Sequence, residues 1–329
     1  MKRTFNFRQI ILICVLVLLM VAAGCSGNKQ GDNGEPEGAA PDKINIGVLQ
    51  GPTGMGIVKL MDNEKYNIEI VGSPDFLLGK IITGELDLAA VPPNQASILY
   101  QRTEGEVQLL AIHTLGILYV LENGEDINSI DDLAGKTLYV SGKGSMPDYV
   151  IQHLLTEHGL VPGQDVLLEF SAQHADLATM AASGQQGLVL LPQPFVTSVM
   201  KQNKDMRIAL DLTEEWKKVS GADLPMGVLI GQKDFIENRN DDLQEFLAEY
   251  EDSINYVNNN VEEAAELIAK YEILPSAEIA ASAIPYCNIV YLDPDESKEP
   301  LNKLFDVLYA LAPESIGGEV PDDEFYYQP

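Results

Sequence analysis

The sequence predicts an α/β protein built as two similar lobes. Three observations carry this. Short apolar runs of strand length alternate with amphipathic runs of helix length along most of the 329 residues, the pattern of βαβ units and parallel sheets. The stretch from Asp42 to Pro329 is long enough to bury two separate cores. Its two halves also resemble each other as strand, turn and helix blocks, with no repeat at a short fixed period.

Taken in order, Lys43 to Gln50 (KINIGVLQ) alternates apolar and polar residues and reads as a strand broken by Gly51-Pro52-Thr53-Gly54. Gly56 to Asn63 reads as a helix carrying Ile57, Val58, Leu60 and Met61. Tyr66 to Gly72 is a strand, Asp75 to Thr83 a helix ended by Gly84, and Leu86 to Val91 a strand closed by Pro92-Pro93. Gln95 to Arg102 is helical, and Leu109 to Glu122 holds two apolar runs around Thr114-Leu115-Gly116. In the second half, Leu138 to Ser141 is a strand followed by a glycine-rich turn and a helix reaching about His158. Val166 to Ser171, Ala175 to Ser183, Gly187 to Leu191 and Phe195 to Gln202 then alternate strand and helix. Met226 to Gln232 returns as a strand. Asp241 to Asn258 is strongly amphipathic, with Leu243, Phe246, Leu247, Tyr250, Ile254 and Val257 at helical spacing, and Val261 to Tyr271 and Leu301 to Leu311 are further helices.

The N-terminal end reads as a targeting segment over 1–24. Lys2, Arg3 and Arg8 precede an uncharged apolar run, Ile10 to Ala23, shorter than the roughly 20 residues a spanning helix needs. Ala22-Ala23-Gly24-Cys25 resembles a bacterial lipobox, which implies lipid on Cys25. Residues 25–41 are rich in Gly, Asn, Glu and Pro and read as a flexible tether. Without the segment holding Lys2, Arg3 and Arg8, 18 basic residues face 50 acidic ones, a balance of −32. Such a surface repels nucleic acid. Cys287 then remains as the one other cysteine and reads as a buried thiol in an apolar context.

Four stretches together resemble the nitrate/sulfonate/taurine-type family of ABC-transporter substrate-binding proteins, which includes binders of thiamine-precursor pyrimidines. They are the opening strand with Gly51-Pro52-Thr53-Gly54-Met55-Gly56, then Thr83 to Pro92 (TGELDLAAVP), then Ile130 to Lys136 (IDDLAGK), then Leu191-Pro192-Gln193-Pro194-Phe195. The resemblance implies a periplasmic-binding-protein-like fold with a mixed sheet in each lobe and a two-strand hinge. Lobe I would comprise 42–132 and 226–329, and lobe II 133–225. Gln193 departs from the pattern, because the family often has an acidic residue before this proline.

Ligands of open α/β sheets sit beyond the carboxyl ends of the strands, so the turns are the candidate site. In the first lobe these hold Thr53, Gly54 and Met55, then Asn94 and Gln95, then Thr114 after His113. Glycine turns let backbone N–H groups approach an acceptor, and Thr53 can add a hydroxyl. Asn94 offers a donor and an acceptor, or caps a helix. Thr114 interrupts an apolar run and needs a partner, from the protein or the ligand. In the second lobe Gly144 and Ser145 repeat the glycine-turn logic, with Ser145 either capping the helix or meeting a ligand. Lys143 reads as a surface charge or an anion contact. His174 is a candidate hydrogen-bonding wall, Gln193 a polar contact, and Phe195 a stacking surface or a core residue. Trp216 reads as helix packing. Tyr66, Tyr119 and Tyr139 read as core or hinge residues.

No nucleophile with an acid–base pair and no metal-ligand spacing is found, so the expectation is a binding protein without cofactor or metal rather than an enzyme. It would be a monomer outside the membrane, tethered by its lipid, taking a small organic molecule to an ABC permease and ATPase. A receptor feeding a sensor, and an enzyme on the same fold, remain as alternatives.

Overall fold

The computed structural model describes residues 43–328. The expected signal segment, Cys25 and the tether lie outside the described residues. Asp42–Pro329 forms one compact unit. It opens with β1 (Ile44–Leu49), the short helix α1 (Pro52–Met55) and a 3-10 turn at Val58–Leu60. The helix expected over 56–63 is thus displaced. Pro52 fits a first helical position, and the chain turns again before a longer helix can form. Next come β2 (Tyr66–Val71), α2 (Asp75–Ile82), β3 (Leu88–Val91), α3 (Pro93–Arg102) and β4 (Val107–Thr114). The chain then passes to β5 (Leu118–Asn123), β6 (Thr137–Ser141), α4 (Met146–Glu157), β7 (Leu167–Ser171), α5 (His174–Ala182), β8 (Leu188–Pro192), α6 (Phe195–Gln202), β9 (Met206–Asp211) and α7 (Leu212–Ser220). It returns through β10 (Gly227–Gln232), α8 (Lys233–Asn238), α9 (Asn240–Asn259), α10 (Val261–Lys270), α11 (Ala277–Ala283), β11 (Ile289–Leu292) and α12 (Pro294–Leu311).

Two mixed sheets result. The first has the order β11-β4-β10-β3-β1-β2 and the second β7-β6-β8-β5-β9. In each, three neighbouring strands run parallel, β2-β1-β3 and β7-β6-β8, and a crossing strand is added antiparallel, β10 on β3 and β5 on β8. The expected lobe boundary after residue 132 is corrected by this pairing. It would leave β5 in the first lobe, whereas β5 lies between β8 and β9. Leu118 to Leu121 are buried on both faces, so that strand needs a ladder on each side, and only the second sheet supplies one. The chain therefore crosses between sheets at 115–117 and again at 221–226.

Burial follows the sequence periodicity. α9 buries Leu243, Phe246, Leu247, Tyr250, Ile254 and Val257, each worth about 1.5–3 kcal/mol in apolar burial. One core cluster is continuous through both sheets and joins Leu109 of β4, Val120 of β5, Ile151 of α4, Trp216 of α7 and Phe305 of α12. Helix α12 begins seven residues before the expected Leu301, because Asp293 and Glu296 form a capping box with Pro294 at the first helical position. Cys287 is a free, buried thiol whose pKa burial pushes up. Among the described residues no helix is long and apolar enough to cross a membrane, and no group of three His, Cys, Asp or Glu side chains could hold a metal ion.

Candidate functional site

The two sheets place equivalent turns at equivalent strand ends. The Gln50 N–H donates to the Val71 carbonyl at 2.9 Å, and the Gly142 N–H donates to the Ser171 carbonyl at the same distance. The helix before β3 ends at Gly84 (φ 72°) and the helix before β8 at Gly184 (φ 76°). These glycines stand one hundred positions apart, as do Leu88 and Leu188, and Pro92 and Pro192. The turns after β1, β3, β6, β7 and β8 therefore lie at the carboxyl ends of parallel strands, the usual ligand position in such sheets.

On the first sheet, the Gly54 and Met55 N–H groups donate to the Gly51 carbonyl at 3.0 and 3.2 Å. Met55 is fully buried and packs in the first lobe's core, so its side chain does not reach the turn surface. Thr53 is half-buried, and its hydroxyl has no partner among the described residues. Asn94 is only 6% exposed, yet its amide makes no hydrogen bond among the described residues. Gln95 beside it is half-buried and also unpaired. Neither side chain caps α3, whose first position is Pro93. Thr114 is buried and meets the His113 Nδ1 at 2.9 Å. Its partner is thus a neighbouring side chain.

On the second sheet, the glycine turn is closed upon itself. The Gly144 N–H donates to Asp148 Oδ2 at 2.8 Å, and Asp148 Oδ1 accepts from Gln152 Nε2 at 2.6 Å. Asp148 is buried. The Ser145 hydroxyl donates to the Gly142 carbonyl and makes no cap bond, so the expected cap is absent. Lys143 is exposed, with its ammonium 5.6 Å from the Phe170 ring centre. His174 opens α5 and its Nδ1 lies 2.5 Å from the Ser141 hydroxyl. Burial lowers the His174 pKa and keeps the ring neutral at neutral pH. The Phe195 ring centre lies 5.7 Å from that of His174, tilted by 45°.

Gln193 is 2% exposed. Its Oε1 accepts from the Thr197 N–H at 3.3 Å and from the Thr197 hydroxyl at 2.9 Å. A backbone N–H can only donate, so the oxygen is fixed and the Nε2 is the free end of the amide. Gln193 precedes Pro194 through a cis peptide bond.

The two sets of turns meet. A methyl group in place of a Gly51 hydrogen would lie 3.8 Å from Pro194 Cδ, so the turn after β1 abuts the turn after β8. Elsewhere on this border the Tyr119 hydroxyl donates to the Tyr286 carbonyl at 3.2 Å. Lys201 of α6 pairs with Glu278 of α11 at 2.8 Å and holds its carboxyl below the usual range. Tyr119, read from sequence as core or hinge, is thus a bridge between lobes. Ser141, Asp148 and Pro194 were missed. Of these Asp148 was findable, because an acid in the first helical turn after a glycine-rich loop can reach back to the loop's N–H groups. A cavity of about 610 Å³ lies elsewhere, lined by Gln108, Lys233, Asn240 and Tyr327 among others, and includes none of the expected site residues.

Residues 159–310, less than half the chain, match the family model described as menaquinone biosynthesis. Comparison with curated protein sequences gives no significant match. Solved structures do resemble the chain. An ABC transporter structure from Parabacteroides distasonis is 20% identical, with a TM-score of 0.76 over 87% of this chain and 99% of the other. The periplasmic aliphatic sulphonate binding protein SsuA of Escherichia coli is 17% identical, with a TM-score of 0.69 over 88% and 93%. The periplasmic nitrate-binding protein NrtA of Synechocystis is 14% identical, with a TM-score of 0.54 over 72% and 68%. At these identities the likeness is one of architecture, and the chain has the two-lobed α/β fold of periplasmic binding proteins of the sulfonate and nitrate type.

Proposed function

We propose that the chain is an extracytoplasmic solute-binding protein. It closes two lobes on a small organic molecule and delivers it to the permease and ATPase of an ABC importer, held at the membrane by lipid on Cys25. The observation that carries this reading is a set of unpaired amides in strand-end turns of the two sheets, where the turn after β1 abuts the turn after β8. Asn94 is almost wholly buried yet hydrogen-bonds to nothing in the described chain. The Gln193 Nε2 on the facing sheet is likewise unused. Neither amide is sealed from solvent, so both border open space in which a bound molecule could meet them. A solute touching both lobes would favour the closed arrangement over an open one.

In this reading Thr53, Asn94, Gln95, Gln193 and His174 supply hydrogen bonds, and Phe195 supplies a flat apolar face. Gly54, Thr114, Gly144 and Ser145 shape the turns. A thermal-shift screen of the purified chain against small metabolites tests it. A true ligand at one hundred times its Kd adds about 2.7 kcal/mol to stability. A broad screen that raises the melting temperature with no compound would defeat the reading. Membrane attachment is checked separately by fractionation, where Cys25→Ala should release the chain.

The menaquinone-biosynthesis match favours one second reading, an enzyme on this fold. Ser141 and His174 form the one serine–histidine contact at the turns, at 2.5 Å. Ser141 is fully buried, however, which suits a structural hydroxyl better than an attacking one. Mass spectrometry of a bound compound separates the readings, since a carried solute leaves unchanged.

A further inference from the structure

The solved structures that this chain resembles include proteins named for sulfonate and nitrate, both anions, but the turns of this chain offer little to a negative charge. We infer that the site takes an uncharged, planar molecule presenting an adjacent N–H donor and carbonyl acceptor, such as a primary carboxamide or a lactam, and rejects the matching carboxylate or sulfonate. This rests on the solute-binding reading and deepens it.

Four observations converge. First, the second lobe's glycine turn, which would draw an anion, is already occupied by the protein's own carboxylate. The Gly144 N–H, the donor that an anion would seek in the second lobe's glycine turn, is bonded to the buried Asp148. Asp75, Asp148 and Asp176 stand in the first turns of α2, α4 and α5, where they offset the positive ends of those helix dipoles.

Second, the turns at 51–56, 92–95, 113–117, 142–146, 172–174 and 192–195 contain one basic residue, Lys143, and it is exposed near Phe170. An anion buried among such groups would lose its hydration without a paired charge.

Third, the acidic position that could hold a cation is filled by Gln193, whose free end is a donor. A cationic ligand brings no acceptor for that donor.

Fourth, Asn94 presents both an amide oxygen and an amide nitrogen without partners while 6% exposed. The complement of a free amide edge is another amide edge, which gives and takes one hydrogen bond. Phe195 and His174, with ring centres 5.7 Å apart, supply the flat wall.

Matched pairs of compounds test this, because each pair keeps its shape and changes only charge. The probes are nicotinamide with nicotinate, benzamide with benzoate, and 2-pyridone, with benzenesulfonate, ethanesulfonate and nitrate as further anions. Titration calorimetry on the purified chain should show an amide binding at least about a hundredfold tighter than its carboxylate, the discrimination expected when a site built for a donor and acceptor receives the wrong group. Affinity for the amide should not change with salt, since no charge pair is formed. Asn94→Ala, which removes the amide edge without adding a charge, should weaken it at least about tenfold while the ligand-free melting temperature stays close to the parent's, because Asn94 makes no hydrogen bond in the described chain. Tighter binding of nicotinate, benzoate or either sulfonate, weakened by salt, would overturn the inference and leave solute binding intact. No binding by either member of any pair would also overturn it, while the broad screen still decides the solute-binding reading.

Discussion

His113 offers the most quantitative test of the structure. It ends β4 fully buried, beside Thr114 and Tyr250. Its ring lies so close to Gly227 of β10 that a methyl group there would come 2.6 Å from His113 Cε1. Burial lowers its pKa from 6.5 to about 4, offset only in part by the carbonyls of Val228 and His113 itself. The direction of the pH effect follows from linkage. The folded form holds its proton less tightly than the unfolded form, so the neutral ring's contribution is fully present above pH 6.5 and is lost as pH falls toward 4.

Each tenfold loss of proton affinity on folding is worth about 1.36 kcal/mol. The whole effect is therefore about 3 kcal/mol, and about 2 kcal/mol of it is lost between roughly pH 7 and pH 5. Burial also lowers the pKa of His153 and His174, and the many carboxylates titrate as well, so the absolute slope is not diagnostic. The difference between two proteins is. Urea unfolding of the parent and of His113→Gln, each near pH 7 and near pH 5, should show the variant less stable at neutral pH but less sensitive to acid, by about 2 kcal/mol. Parallel pH dependences in the two proteins would mean that His113 is already hydrated or charged, and the close packing of β4 on β10 would be wrong.

Three further outcomes follow from other contacts. Gly116→Ala sets a methyl group 2.1 Å from Thr213 Oγ1 at the crossing between the lobes, and should cost about 1–3 kcal/mol in urea unfolding. Adding Thr213→Gly should recover part of that loss, and strict additivity of the two changes would count against the close approach. Arg207→Ala leaves the buried Glu122 carboxylate without its 2.7 Å partner and should lower stability by about 3 kcal/mol, read from the same unfolding curves. Lys201→Ala should leave the unfolding midpoint unchanged, because Glu278 is 84% exposed. A spin-label pair across α6 and α11 should nonetheless report a broader distance distribution in that variant, and an unchanged distribution would show that the ion pair does not restrain the border.

Much of the fold was legible because it rests on local periodicity. The apolar stripe of α9, the helix ends at Gly84 and Gly184 and the strand at Lys43 to Gln50 are each decided within a few residues. The assignment of β5 was not legible, because an apolar strand carries no label for the sheet it joins. Its place is set by β8 and β9, more than sixty positions downstream in sequence. The site divides in the same way. Asn94, Gln95, Gln193, His174 and Phe195 were expected at strand ends, and the structure places them there, because strand ends are preserved by topology. The burial of the Met55 side chain and the missing cap at Ser145 were not legible, because orientation decided them. Met55 turns into a core that α9 completes from far along the chain, and the Ser145 hydroxyl prefers the carbonyl of Gly142.

The duplication gives a reason for the asymmetry of the site. β3 ends at Val91 just before Pro92, and β8 ends at Pro192, so a proline stands at the matched position in both copies. From there the two copies diverge. The first places Asn94 where the second has Pro194, and Gln95 where the second has Phe195. The backbones part here too, since the Gln193–Pro194 bond is cis and α6 starts at Phe195 whereas α3 starts at Pro93. One turn presents amides and the other a proline and an aromatic ring. On the solute-binding proposal, a ligand between these two turns would meet amides from the first and, beside Gln193, a proline and an aromatic ring from the second. On that proposal the division would suit a flat molecule with a polar edge, and it follows from which residues occupy two corresponding turns.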